Sequence, residues 1–337
     1  MSDRRVAVVG ATGAVGRTMV EILDERDFPL AELRLLASAR SAGQSVATRW
    51  GDVVVENLEV ADPNGIDIAL FSAGRDRSLT YAPAFARVGA VVVDNSSAFR
   101  RDPAVPLVVV GVNDDAIGRN QGIIANPNCT TMTLMMAAGP LHRAAGLESA
   151  FVTSYQSVSG SGQRGMDELS RQMDSLGEDR DALGRGGWVD PGGDLYPRPV
   201  AWNVLPMAGT EAEGGYTDEE WKVVWETRKI LDAPEILVEP TCVRVPVMVG
   251  HGVVTTMRFA RAMTVLEALE LLQEAPGIEV WTDRVPTPLD CVGRDEVLVG
   301  RVRETLGQPG GISLWAVGDN LRKGAALNAV QIAEKLS

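Results

Sequence analysis

The sequence carries only two histidines, His142 and His251, in 337 residues. That scarcity limits acid–base chemistry near neutral pH more than any other feature of its composition. Its three cysteines, Cys129, Cys242 and Cys291, are odd in number and include no C-x-x-C pair. Neither a disulfide framework nor a zinc site is therefore indicated, no metal is expected, and a reducing cytoplasm is the expected setting. A basic excess is also absent. The formal net charge of −13 argues against a surface that tracks nucleic-acid phosphates, although a local cluster of Arg and Lys can still hold a small anion. No apolar run approaches the ~20 residues of a membrane span. Arg4-Arg5 ahead of Val6-Ala7-Val8-Val9 leads into a glycine-patterned turn, not into the cleavage site of an export signal. Internal repeats and low-complexity tracts do not stand out. What is present is 45% hydrophobic and 23% charged, the balance of a soluble globular protein, with length enough for two domains that each bury a core.

The first half alternates strand and helix. Arg5-Val6-Ala7-Val8-Val9 is apolar and β-branched, as for a strand buried on both faces. Gly10-Ala11-Thr12-Gly13-Ala14-Val15-Gly16 follows, and Val15, Met19, Ile22 and Leu23 then recur with helical spacing. Strand, glycine turn and helix in that order form the unit that seats a dinucleotide pyrophosphate on a helix N-terminus. Gly10, Thr12, Gly13, Ala14 and Val15 are its candidate cofactor contacts. The next strand, Glu32-Leu33-Arg34-Leu35-Leu36, ends in Ala37-Ser38-Ala39-Arg40-Ser41. An NAD-preferring site has an acidic residue at this tip. Hydroxyl and guanidinium groups suit a 2′-phosphate instead, so NADP is the expected cofactor, beside Ser38, Ala39 and Arg40. Further strands are expected at 67–71, 90–94, 106–111 and 122–125, with a helix over 78–88 that contains Pro83. The pattern is a doubly wound parallel sheet, with Arg100 and Cys129 at the carboxyl ends of its strands.

Asn126-Pro127-Asn128-Cys129-Thr130-Thr131 stands between the last of those strands and an apolar helical run. Pro127 biases Asn126 toward an extended conformation and Asn128 is a good N-cap, so Cys129 should open the helix. Unpaired N–H groups and the positive helix end favour thiolate there. A small buried residue at a strand–helix junction is the plainer alternative.

Beyond the helix, which should end near Ala145, the pattern changes. Residues 150–158 alternate like a strand with one exposed face and run into the polar loop Ser159-Gly160-Ser161-Gly162. Residues 177–203 are rich in Gly, Pro and Asp without a period and read as a long surface excursion. Thr217 and Glu220 form a capping box for a helix that places Glu219 and Lys222 on one side; Thr264 and Glu267 form a second. Strands are expected at 236–249, 253–262 and 312–317, and a closing helix at 320–336, packing on the first domain so that Asn320 approaches the cofactor. This half is α+β on a mainly antiparallel sheet.

His142 lies thirteen residues after Cys129 on the same predicted helix, about 20 Å away at ~1.5 Å per residue. If the thiol has an imidazole partner, it is His251, in the turn Gly250-His251-Gly252. Arg244 lies within an apolar strand, where a charge requires an anion from the protein or from a substrate.

The glycine turn, Asn95-Ser96-Ser97-Ala98-Phe99-Arg100, the Cys129 hexapeptide, Tyr155-Gln156-Ser157-Val158-Ser159-Gly160, Cys242-Val243-Arg244-Val245-Pro246 and Asn320-Leu321-Arg322-Lys323-Gly324-Ala325-Ala326 together resemble bacterial-type aspartate-semialdehyde dehydrogenase, in the same order from end to end. The resemblance implies interconversion of aspartate 4-semialdehyde, phosphate and NADP with 4-phospho-aspartate and NADPH, feeding lysine, methionine and threonine synthesis. It implies Cys129 as nucleophile, His251 as acid/base and Gln156 as the group that positions the acyl unit. Asn128, Arg244 and Glu219 would contact substrate, Arg244 at its α-carboxylate and Glu219 at its amino group. Arg100 and Lys222 would hold phosphate, and Ser159, Gly160 and Asn320 would approach the nicotinamide. It further implies a homodimer of chains, each with an NADP-binding domain (1–128 with 320–337) and a catalytic and dimerisation domain (129–319). Two positions depart from the family pattern: Gly252 where a Ser often follows the His, and Ser161 where the loop often has Ala. The alternatives are an N-acyl-glutamyl-phosphate reductase, whose acylated amine needs no acidic partner such as Glu219, and a non-catalytic dinucleotide-binding protein on the same scaffold.

Overall fold

The structure, a computed structural model, describes residues 4–178 and 180–336. Asp179 in the 177–203 excursion, and residues 1–3 and 337 at the ends of the expected domains, lie outside the described residues. In chain order the first elements are β1 (Arg4–Val9), α1 (Ala14–Glu25), β2 (Leu30–Ala37), β3 (Ser45–Thr48), β4 (Gly51–Asn57), β5 (Ile68–Phe71), α2 (Arg75–Arg87), β6 (Val91–Asp94) and β7 (Ile123–Ala125). Then come α3 (Cys129–Ala145), β8 (Leu147–Gln156), α4 (Gln163–Gly177), α5 (Arg180–Arg185), α6 (Asp218–Ile230), β9 (Leu237–Arg244), β10 (His251–Phe259), α7 (Val265–Glu274), β11 (Ile278–Trp281), α8 (Pro288–Cys291), β12 (Val297–Glu304), β13 (Ile312–Gly318) and α9 (Leu327–Lys335). The chain divides into two compact units, residues 1–128 with 229–232 and 321–337, and residues 129–228 with 233–320.

The first unit holds a sheet ordered β3-β4-β2-β1-β5-β6-β7, parallel throughout except for the β3–β4 pair. Because side chains alternate across a strand, Val6 and Val8 of β1 join one core with Met19, Ile22, Leu23, Leu327 and Val330. Ala7 and Val9 join the core on the other face with Phe71, Phe85 and Val92. The expectation of a strand buried on both sides is thus met.

Two elements differ from expectation here. Residues 106–111 form no strand and share only a bridge, Leu107 to Ala125, with β7. The N–H groups a ladder would use are taken by side chains: Val109 by Asn113, Val110 by Asn328 and Gly111 by Asp114, while Pro106 has no N–H to give. The closing helix is interrupted as well, since Arg322–Ala326 forms a π turn before α9.

The second unit holds a mixed sheet ordered β11-β12-β13-β10-β8-β9. The pairs β8–β10, β10–β13 and β12–β13 are antiparallel, whereas β8–β9 and β11–β12 are parallel. Helix α3 packs on β10, β8 and β13 and is buried from Thr130 to Leu141. The 177–203 excursion is less superficial than its composition suggests. Val200 and Ala201 pack with Val158, Leu169 and Leu176, and their N–H groups both donate to Oε1 of Gln172 on α4, at 2.9 and 3.3 Å. Among the described residues no helix is long and apolar enough to cross a membrane.

Candidate active site

Cys129 is the first residue of α3 and is partly exposed. One turn on, Thr133 Oγ1 donates to the Cys129 carbonyl at 3.2 Å. The same hydroxyl lies against Gly318, where an added Cβ would stand 3.4 Å from it. Gly318 is paired with His251 across β13 and β10. The first turn of α3 is thereby packed against the strand position that carries the imidazole. His251 does not sit in a turn, as its flanking glycines suggest; it opens β10, with Gly252 opposite both Tyr155 and Val317.

Two strand ends and one loop converge on the imidazole. Gln156 ends β8 and Arg244 ends β9, opposite each other in the parallel register. Gln156 is buried and its Nε2 donates to Ser154 Oγ at 3.2 Å. Arg244 is buried, donates from Nη1 to the Ser157 carbonyl at 2.7 Å, and leaves Nε without a partner. The loop after β8 brings Gly160 over both groups: a Cβ there would lie 3.2 Å from His251 Nε2 and 3.3 Å from Arg244 Nη1. Imidazole and guanidinium therefore both border Gly160, a residue with no side chain. His251 Nδ1 accepts from the Ser157 N–H at 3.1 Å and lies 3.0 Å from Ser157 Oγ, while Nε2 is buried with no partner in the protein. Burial, and after it the Arg244 charge, push this imidazole down to about 3. Burial pushes the Cys242 and Cys291 thiols up to about 12, which leaves neither of them a reactive thiolate near neutral pH.

Both departures from the family pattern have local causes. A Cβ at position 252 would fall 2.0 Å from the Trp315 ring, so the sheet admits only glycine beside His251. Ser161 Oγ accepts from Tyr196 OH at 3.1 Å, and the Tyr196 ring lies 5.8 Å from the Arg244 guanidinium. That hydroxyl ties the loop to the ring beneath the arginine.

Helix α6 presents Glu219 and Lys222 as an ion pair at 2.5 Å, with Asp218 on the same ammonium at 2.7 Å. Burial opposes the Lys222 charge, but Glu219 and Asp218 more than offset it and hold the ammonium above its usual value. The capping box is present: Thr217 N–H donates to Glu220 and Glu220 N–H to Thr217 Oγ1. Glu220 has a second task, invisible in the motif. Its Oε1 accepts from the Cys242 N–H at 2.8 Å, two residues before Arg244, and so joins α6 to β9. Glu220→Ala would strand two buried N–H groups, each worth about 1–3 kcal/mol. A loss of roughly 2–6 kcal/mol is expected from that pair, read from the denaturation midpoint; an unchanged midpoint would mean that packing alone holds the helix.

Arg100 and the glycine turn lie in the first unit. Arg100 is buried, donating from Nε to the Asn126 carbonyl and from Nη2 to the Asn95 carbonyl, both at 2.9 Å. It thus stands at the carboxyl ends of β6 and β7. Lys229, which carried no signal in the sequence, clamps this loop by donating to the carbonyls of Arg100, Asp102 and Val105 at 2.8, 2.6 and 2.7 Å. Asn128 is buried just ahead of α3. Gly10 has φ of +90° and a Cβ there would strike Ser72 O at 2.3 Å, while one on Gly16 would strike Gly10 O at 2.2 Å. Gly13 caps α1 with no side-chain hydrogen bond, which leaves the amides that follow it, from Ala14 and Val15, facing an open end. Thr12 Oγ1 donates to Ser41 Oγ at 3.3 Å, tying this turn to the loop of Ser38, Ala39 and Arg40. The donor set fits a dinucleotide: close backbone approach, uncapped helix amides, and no carboxylate at the tip of β2. Ser159 and Asn320 hydrogen bond to each other in the second unit, Asn320 Nδ2 to Ser159 Oγ at 2.9 Å.

The fold and this site define a semialdehyde dehydrogenase. Residues 5–120 match the family described as semialdehyde dehydrogenase, NAD binding domain, and residues 139–323 match semialdehyde dehydrogenase, dimerisation domain. The chain is 51% identical to the aspartate-semialdehyde dehydrogenase of Streptomyces akiyoshiensis, over 98% of this chain and 97% of that protein. It is 48% identical to that of Mycolicibacterium smegmatis, over 98% of each. Its structure resembles the crystal structure of aspartate semialdehyde dehydrogenase II from Vibrio cholerae, described as complexed with ASA, with a TM-score of 0.93 at 45% identity, covering 100% of this chain and 98% of that one. The chain belongs to the aspartate-semialdehyde dehydrogenase family. Its dimerisation domain accords with the homodimer expected from the sequence.

Proposed function

We propose that this protein interconverts L-aspartate 4-semialdehyde, phosphate and NADP with 4-phospho-L-aspartate and NADPH through a thioester on Cys129, in the cytoplasmic synthesis of lysine, methionine and threonine. The observation that supports the reading is that His251 Nε2 and Arg244 Nη1 both border Gly160, in the unit whose helix α3 opens with Cys129. A thiol at a helix start, an imidazole and a buried guanidinium are the groups that acyl transfer with an anionic substrate needs.

Cys129 attacks the aldehyde carbon, and the α3 N–H groups favour the negative charge that develops on oxygen. His251 serves as the acid/base, protonating the alkoxide that emerges in the biosynthetic direction, and Gln156 orients the acyl unit. Arg244 binds the α-carboxylate, because a buried guanidinium with an unpartnered Nε favours an anion. Glu219 receives the α-ammonium, with Asn128 as a further substrate contact. Arg100 and Lys222 hold phosphate, which attacks the thioester and releases the Cys129 sulfur. Gly10, Thr12, Gly13, Ala14 and Val15 would hold the pyrophosphate of NADP, Ser38, Ala39 and Arg40 its 2′-phosphate, and Ser159, Gly160 and Asn320 its nicotinamide side. When bound, the nucleotide supplies the acceptor, or the source, of hydride. Division into a nucleotide-binding part (1–128 with 320–337) and a catalytic part (129–319) belongs to the same proposal.

A saturation series tests it. Aspartate semialdehyde and an N-acyl-glutamate semialdehyde are each assayed with NADP and with NAD, with and without phosphate. Expected are phosphate-dependent NADPH formation with aspartate semialdehyde and a higher kcat/KM with NADP than with NAD. A preference for the acylated substrate would replace the reading by an N-acyl-glutamyl-phosphate reductase, and equal rates with NAD would remove the role given to Arg40.

A further inference from the structure

The buried guanidinium of Arg244 is held from two directions. Its Nη1 donates to the Ser157 carbonyl at 2.7 Å, while Nε is buried without a partner in the protein. The second hold is an aromatic ring: the guanidinium carbon lies over Tyr196, 5.8 Å from the ring centroid. The negative face of a ring attracts a guanidinium without using up any of its N–H donors. Tyr196 is in turn anchored at both of its ends. Its ring packs on the cluster of Val158, Leu169 and Leu176, and its OH donates to Ser161 Oγ at 3.1 Å. Ser161 closes the short turn Val158–Ser161, which also carries Gly160, the neighbour of Arg244 Nη1. Gly165 in α4 leaves room for the phenol, since a Cβ there would stand 2.9 Å from Tyr196 OH. The 177–203 excursion thus delivers one ring to the arginine, and the loop after β8 takes hold of its hydroxyl.

We propose that Tyr196 is a positioning residue for the substrate carboxylate and that Ser161 is the latch that keeps its ring in place. The proposal rests on the reading of Arg244 as the α-carboxylate site. Ordering a long side chain costs rotamer entropy, and an arginine fixed at Nη1 alone would keep the freedom to turn about that bond. The ring removes that freedom before substrate arrives. With Nη1 and the ring both engaged, the edge that remains is Nε with the other terminal nitrogen, the forked pair that a carboxylate accepts. An alanine, often found at the Ser161 position in the family, would leave the phenol hydrogen without this acceptor. Because Tyr196 acts through Arg244, its loss should weaken binding of the semialdehyde more than it slows the chemical step. A ring that served packing alone would instead cost stability and act on every substrate alike.

Steady-state kinetics of the whole enzyme test this with two aldehydes, aspartate semialdehyde and an analogue without the α-carboxylate. Tyr196→Leu removes the ring face. About a 5- to 30-fold rise in the KM for aspartate semialdehyde is expected, with kcat changed far less, the range of a desolvated cation–π contact. The loss in kcat/KM should be at least about threefold smaller for the analogue. Tyr196→Phe keeps the ring and loses the latch, and Ser161→Ala loses the same hydrogen bond from its other side. Each should raise that KM by about 2- to 10-fold, and the pair together should be no worse than either alone, since one bond joins them. In an Arg244→Leu background, Tyr196→Leu should cost nothing further. An equal loss on both aldehydes, a fall confined to kcat, or a full loss in the Arg244→Leu background would make Tyr196 a packing residue and overturn the proposal. Tyr196→Phe and Ser161→Ala leave the packed ring in place, so the test stands even where the leucine variant folds poorly. If Arg244→Leu alone treats the two aldehydes alike, it is the carboxylate reading that fails. The coupling of Tyr196 to Arg244 is read from the double variant whatever anion the arginine holds, so the two failures are told apart.

Discussion

Cys129→Ala is expected to lower kcat/KM by at least ~10³-fold, the scale on which a covalent nucleophile is lost, while the protein stays folded and binds nucleotide as before. Cys129 is partly exposed at the start of α3, and the residues packed in that helix begin at Thr130. Trimming the sulfur therefore removes reactivity with little loss of core. Cys129→Ser should be nearly as impaired, because a hydroxyl is a far weaker acid and nucleophile than a thiol. Cys242 and Cys291 cannot substitute: both are buried and both are pushed up to about 12. The checks are steady-state rates, mass spectrometry for the acyl adduct, and nucleotide affinity. Near-normal turnover in the alanine variant would leave only the reading of a non-catalytic dinucleotide-binding protein.

The second large effect is expected at Arg244. Its Nη1 is engaged with the Ser157 carbonyl, so the unpartnered Nε and the remaining nitrogen are what it offers a carboxylate. Two charge-assisted hydrogen bonds at about 1.5–3 kcal/mol each correspond to a loss of roughly 10²- to 10⁴-fold in kcat/KM for Arg244→Leu. The larger share should fall on the KM for the semialdehyde. Arg244→Lys should restore only part of it, because an ammonium cannot make the forked contact. An assay with an aldehyde that lacks the α-carboxylate separates binding from structure. For that substrate wild type and Arg244→Leu should differ by far less, and an equal loss on both would mean that Arg244 serves the loop at Ser157 and not the ligand.

Much of this was legible in local sequence. The strand buried on both faces, the glycine turn, the start and end of α3 and the Thr217–Glu220 box all depend on neighbours within a few residues. Where strand-like composition gives no strand, side chains hold the backbone groups, two of them near in sequence and one far. Residues 106–111 have strand-like composition, but Asn113, Asn328 and Asp114 occupy the N–H groups a strand would use. The hairpin of β3 and β4, the helix α4, and β11 and β12 carry no motif in the sequence that marks them, apart from the β-branched Val53-Val54-Val55 of the hairpin.

By itself the sequence determined which chemistry is available: one thiol opening a helix, one histidine able to serve it, one arginine out of place in an apolar strand, and a nucleotide turn without an acidic partner. Only the tertiary structure decided what surrounds the histidine. The contacts on Nδ1 join residues 94 positions apart, and those that orient them reach across 163. Such bonds have no periodicity and no adjacent signature. They exist because β13, β10 and β8 are neighbours in one sheet, which brings Ser157, His251 and Asn320 together at one end of those strands.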